Sequence, residues 1–173
     1  GIFLTRGRVV IAGGVISDNR ALREGGGISL AAADLIIANT QLLRNSANRD
    51  GGGISITLSK VTITGATFEG CTSLRGAAIR ARDSRIDAGM FLKLTTTTVK
   101  ECVGGDSGAI HVSDVDLTLD GCTIQSCSAK VRGGGVKVEG ISTASFPATA
   151  FIGNNAMDGG ALALMGGSAE LLG

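Results

Sequence analysis

The chain repeats itself. A small residue, most often glycine, followed by an aliphatic one recurs at Gly1-Ile2, Gly27-Ile28, Gly53-Ile54, Ala78-Ile79, Ala109-Ile110, Gly135-Val136 and Ala161-Leu162. Successive aliphatic anchors are 26, 26, 25, 31, 26 and 26 residues apart. A period of roughly 20–50 residues identifies a stacked architecture, because a single unit cannot bury its own apolar face.

Alignment on the anchors shows what one unit contains. The second unit carries Ile28 and Leu30, Leu35 and Ile37, Thr40 and Leu42. The third carries Ile54 and Ile56, Val61 and Ile63, Ala66 and Phe68. Pairs spaced i, i+2 belong to short half-buried strands, and Val, Ile and Thr suit them. The segments are too short and too interrupted by glycine for helices. Three short strands per unit, repeated in tandem, predict an all-β chain wound as a single-stranded parallel β-helix of about six and a half turns. Residues 1–173 read as one continuous β-helix segment, and the missing initiator Met and the unfinished last unit read as part of a longer chain.

Composition narrows the function classes. With aromatics at 3% and neither Trp nor Tyr, the core must be aliphatic. A net charge of +1 gives no general attraction to nucleic acid. No apolar run reaches the length of about 20 residues that a membrane-spanning helix needs.

Several aligned columns have a specific character. Gly13, Asn39, Gly65, Thr96, Gly121 and Ala148 fall between the second and third strands. Gly and Asn tolerate positive φ, so this corner is expected to use it. After the third strand comes Asn19, Asn45, Cys71, Cys102, Cys127 and Asn154. Stacked Asn side chains can hydrogen-bond along the axis. Neighbouring cysteines in this column would have Cα atoms about 4.8 Å apart. Disulfides accept about 4.4–6.8 Å. Cys71, Cys102 and Cys127 are therefore either a ladder of buried free thiols or the site of one stacked disulfide. A metal site lacks a C-x-x-C pair, and no cofactor is implied. Cys122 reads as a small core residue.

His111 is the only histidine. It stands between inward Ile110 and Val112 and so should point outward. With Arg80 and Lys137 it forms an expected exposed, solvated column. The fourth unit is longer than the others, and its excess predicts a protruding loop at 82–91. Arg82, Asp83, Arg85, Asp87 and Phe91 are its candidate contact residues, since solenoid insertions map to surface loops. Asp114, Asp116 and Asp120 cluster, but they form no carboxylate pair across one cleft. No catalytic constellation emerges.

The motifs Phe151-Ile152-Gly153-Asn154 and Gly159-Gly160-Ala161-Leu162 resemble the F-x-x-N and G-G-A-I repeats of the chlamydial polymorphic outer-membrane proteins. Weaker forms are Leu42-Leu43-Arg44-Asn45 before Gly52-Gly53-Ile54, and Ile16-Ser17-Asp18-Asn19 before Gly26-Gly27-Ile28. The resemblance implies a right-handed helix of pectin-lyase-like type, in line with the general preference for right-handed parallel crossovers. It also implies an extracellular or cell-surface location and an adhesive or structural role. The expected function is a non-enzymatic rod that displays surface loops. Its expected partners are other protein chains or further β-helix turns at the open ends, and surface glycans. The alternative is a carbohydrate-active enzyme, a polysaccharide lyase or hydrolase of the same fold.

Overall fold

In-register pairing of each unit with the next organises the whole molecule. The computed structural model describes residues 1–83 and 89–172, and within them every regular element is a β-strand. The result is a parallel β-solenoid of about six turns, built from sheets of seven, seven, six and five parallel strands. Ile2, Ile28, Ile54, Ile79, Ile110, Val136 and Leu162 pair in one continuous column. The repeat period is therefore the physical circumference of the coil.

The third turn shows the plan. Its strands are Ile54–Thr57, Val61–Thr64, Thr67–Glu69 and Thr72–Ser73. The first three match the apolar pairs of the sequence. The fourth, only two residues long, corrects the expectation of three strands per turn. It escaped notice because so short an element has no hydrophobic alternation to reveal it.

The core is an aliphatic column stack. Ile54, Ile63, Phe68, Ile79, Leu94, Val99, Ile110 and Ile124 have no solvent exposure. Each such side chain is worth about 1.5–3 kcal/mol of burial. Phe146 and Phe151 pack edge to face, with ring centroids 5.6 Å apart. In the outer turns Ile2, Leu164 and Leu171 are exposed at 38%, 46% and 65%, since within this chain they are covered on one side only.

The corner after the second strand has positive φ in all six turns: Gly13, Asn39, Gly65, Thr96, Gly121 and Ala148. Thr96, at φ 45°, is the costliest member, because a β-branched side chain fits the left-handed region poorly. A second corner, Asp18, Arg44, Gly70, Glu101, Ser126 and Gly153, also has positive φ throughout. The insertion of the fourth unit is narrower than expected. Arg82 ends the strand Ile79–Arg82, and Phe91 opens the strand Phe91–Thr95.

Two substitutions test this account by urea denaturation. Ile63→Ala should lower stability by about 2–5 kcal/mol, the range for a buried aliphatic cavity. Thr96→Asn should raise it by up to about 1 kcal/mol, since Asn accepts the left-handed corner more readily.

Candidate functional site

The outward-facing positions of the first sheet form one row: Phe3, Ser29, Ser55, Arg80, His111, Lys137 and Ala163. The sequence predicts exposure for Arg80, His111 and Lys137. The structure overturns this. Their exposures are 6%, 1% and 4%, and Ser55 is at 2%. The cause is the glycine-rich segment that precedes each first-sheet strand.

Gly25, Gly51, Gly76, Gly133 and Gly159 all have positive φ, and each reverses the chain onto the outer face. A methyl group on Gly25 would lie 2.6 Å from Ser29 Cβ, and one on Gly76 would lie 3.0 Å from Arg80 Cα. On Gly133 it would lie 3.1 Å from Lys137 Cα. The segment thus rests directly on the row, and only glycine permits so close an approach. Charged residues beside these glycines then roof the row.

The enclosed charges pair with one another. Arg75 holds Asp50 with two bonds, Nε to Oδ1 at 2.7 Å and Nη2 to Oδ2 at 2.9 Å, and the Asp50 carboxylate is fully buried. Lys137 Nζ donates to Asp106 Oδ2 at 2.9 Å and lies 3.7 Å from Glu139 Oε2. Arg82 Nη2 reaches Glu24 Oε1 at 3.1 Å, two turns away. Arg80 Nη1 donates to the carbonyls of Ala81 and His111, while its Nε has no hydrogen-bond partner among the described residues. Burial lowers the Arg80 pKa to about 10, so the guanidinium stays charged at neutral pH.

His111 occupies the middle of the row. Ser107 Oγ accepts the Gly76 N–H at 3.0 Å, which leaves its hydroxyl hydrogen to donate to His111 Nδ1 at 2.9 Å. Nε2–H then donates to Glu139 Oε2 at 2.8 Å. The network thereby assigns the Nε2–H tautomer. Burial, reinforced by Arg80, Lys137 and Arg75, pushes the His111 pKa far below its ordinary value and keeps the ring neutral. Glu139 pulls the other way, but its side chain is 40% exposed and it already accepts from the neutral ring.

Ser107, His111 and Glu139 are the residue types of a nucleophilic triad, but their placement suits a structural clamp. Ser107 is fully buried, and its oxygen is held by the Gly76 N–H. Activated nucleophiles require access to substrate. The chain instead ties the fourth, fifth and sixth turns together. Sequence reasoning missed this site because it treated the row as solvent-facing. The glycine repeat, each glycine lying four residues before a row position, was the available signal.

The aspartate cluster is also engaged. Asp114 Oδ1 accepts the Ile141 N–H at 3.1 Å, and Asp116 Oδ1 accepts the Thr143 N–H at 3.1 Å. Both carboxylates cap the turn above them. Among the described residues no group of three or more His, Cys, Asp or Glu side chains converges to hold a metal ion.

The candidate contact loop is only partly in view. Arg85 and Asp87 lie outside the described residues. Asp83 is 7% exposed and its N–H donates to Ser113 O at 3.0 Å, which corrects its reading as a contact residue: it closes the end of the first sheet. Phe91 is 37% exposed and borders a shallow hollow with Arg8, Asp34, Lys60 and Thr62.

The Asn/Cys column stands at the corner between the third and fourth strands of the turn. Asn45 Nδ2 donates to Ile16 O at 2.7 Å, and its Oδ1 accepts the Asn19 N–H at 3.0 Å. Asn154 repeats both bonds, to Ile124 O and from the Cys127 N–H. The cysteines imitate this pattern with sulfur. Cys71 Sγ donates to Leu42 O at 3.5 Å and Cys127 Sγ to Val99 O at 3.7 Å. Their sulfurs accept the N–H groups of Asn45 and Cys102. All four cysteines are buried free thiols, and Cys122 sits in the core at 1% exposure.

The fold and this polar row define a parallel β-solenoid with an internally paired outer face. Compared with protein-family models, curated proteins and solved structures, the chain finds no match.

The depressed His111 pKa makes stability depend on pH. The unfolded chain takes up the proton first, so the contribution is complete above about pH 6.5 and is lost as pH falls. From pH 7 to pH 5 the wild-type chain should lose about 2 kcal/mol through this group. His111→Gln should remove that slope in urea titrations at the two pH values.

Proposed function

We propose that this chain is a non-enzymatic structural or adhesive module of an extracellular or cell-surface assembly. It is a rod that spans distance and displays loops and side-chain columns. The observation that carries this reading is the polar row. Arg75, Arg82, Lys137 and His111 are bound to Asp50, Glu24, Asp106 and Glu139 across turns, so these groups stiffen the coil. Networks of buried pairs favour one fixed arrangement, whereas a working catalytic group needs an open approach.

The resemblance of Phe151–Asn154 and Gly159–Leu162 to chlamydial polymorphic outer-membrane protein repeats supports the surface location and the adhesive role. The exposed apolar residues of the outer turns, Phe3 and Leu22 at one end and Met157 and Leu171 at the other, support partners there. Those partners are further turns of the same kind or other protein chains. Surface glycans are the second partner class, met along the rod by residues such as Phe91.

Binding and turnover measurements test the reading together. The chain should bind immobilised cell-surface proteins or glycans. Replacing residues 84–88 by a glycine-serine segment should weaken binding at least several-fold while leaving the melting temperature unchanged. It should show no turnover of acidic polysaccharides with or without Ca²⁺. Turnover would establish the polysaccharide lyase or hydrolase alternative instead.

A further inference from the structure

We propose that the column Cys71, Cys102 and Cys127 is a thiol–disulfide exchange site, which takes one disulfide along the solenoid axis, always through Cys102, and passes it between the two neighbours. The three residues stand immediately before paired positions of the fourth sheet, where Thr72 faces Val103 and Val103 faces Ser128. Val103 N–H donates to Cys71 O at 3.0 Å and Ser128 N–H to Cys102 O at 2.9 Å, so the three lie on consecutive rungs. Rungs are separated by about 4.8 Å. Disulfides form across Cα separations of about 4.4–6.8 Å. Either adjacent pair meets this range, whereas Cys71 and Cys127, about 9.6 Å apart, do not. Its neighbours Cys127 and Cys71, together with burial, push the Cys102 thiol up.

The stack also suits exchange. A thiolate attacks a disulfide sulfur roughly in line with the bond it breaks. Three sulfurs on successive rungs supply that line, with Cys102 in the middle. The same contacts with Cys102 favour the thiolate forms of Cys71 and Cys127, so the outer two open the reaction and drive the exchange, and Cys102 attacks only once, to resolve the mixed disulfide. The oxidant is a small disulfide such as oxidised glutathione. Cys71 thiolate attacks it, forms a mixed disulfide and releases one glutathione thiol. Cys102 then attacks the Cys71 sulfur and releases the second. Two protein thiols have been oxidised and one glutathione disulfide reduced to two thiols. Thereafter Cys127 thiolate attacks the Cys102 sulfur and Cys71 leaves as thiolate, taking up the proton that Cys127 lost. No further oxidant is consumed. Access comes from local opening of the fourth sheet, whose strands are only two residues long, such as Val103–Gly104.

The test uses the whole chain, incubated natively with oxidised glutathione, alkylated, and mapped by mass spectrometry without reduction. We expect one disulfide per chain, present as two populations, Cys71–Cys102 and Cys102–Cys127, with Cys122 fully alkylated. Cys127→Ser should leave only the first, Cys71→Ser only the second, and Cys102→Ser none. The oxidised wild-type chain should melt several degrees above the reduced one. Four alkylated thiols after oxidation would overturn the proposal, as would a Cys71–Cys127 bond, any bond to Cys122, or a persistent glutathione adduct. The wild-type map alone decides the matter if a serine variant does not fold.

Discussion

The parallel, in-register ladder between turns is the constraint from which the rest follows. It places every residue beside its counterpart one turn on, as Ile28 beside Ile54 and Arg80 beside His111. For aliphatic residues this stacking is favourable, and the core columns are uniform. For charged residues it is hazardous, because like charges directly opposite repel. Arg80, His111 and Lys137 occupy adjacent rungs of one row. With a protonated histidine the row would hold three stacked cations under a roof of backbone. The neutral ring separates the two permanent charges. Asp106 and Glu139 reach Lys137 from neighbouring columns. Elsewhere opposite charges alternate along one column, as Asp50 with Arg75 and Glu69 with Lys100, so that the ladder itself pairs them. The row of Arg80, His111 and Lys137, where like charges align, is balanced from neighbouring columns instead.

The ladder also decides how much of the fold was legible in the sequence. Period-two pairs such as Val61 and Ile63 announce their own strand, and a strand that repeats announces its neighbours. The corner at Gly13, Asn39, Gly65 and Gly121 was equally plain. Thr96 and Ala148 adopt the same geometry without any local preference for it. The corner at Arg44, Glu101 and Ser126 carries no signal in three of its turns, yet its φ stays positive throughout. There the inter-turn hydrogen bonds, such as Arg44 N–H to Glu69 O at 2.8 Å, over-determine the backbone. Geometry imposed by neighbours is not written in the residue that adopts it.

The site was less legible for a related reason. Strand alternation correctly assigned Arg80, His111 and Lys137 to the outer face, but outer is not the same as exposed. What covers them is a loop, and its path depends on glycines whose role is tertiary contact. A side chain on Gly76 or Gly133 would strike the backbone of the row. Glu24 and Arg82 pair across two turns, and no local pattern links them.

The Asn column shows what a substitution does within such a ladder. An Asn amide both donates to and accepts from the turn before it, as Asn45 does with Ile16 O and Asn19 N–H, and repeated Asn residues would tie each turn to its predecessor by the same two strong bonds. Cysteine preserves the direction of both contacts but weakens them, since a thiol is a poor donor and a poor acceptor. Asn45 Nδ2 approaches its carbonyl to 2.7 Å, whereas the equivalent contact of Cys127 is 3.7 Å. The three central turns are therefore held less firmly at this corner than the turns on either side. That softness falls beside the fourth sheet, whose strands are only two residues long, and it places polarizable sulfur in a column that would otherwise hold only fixed amides. The same replacement that weakens the ladder gives it a bond that can be made and broken along the axis.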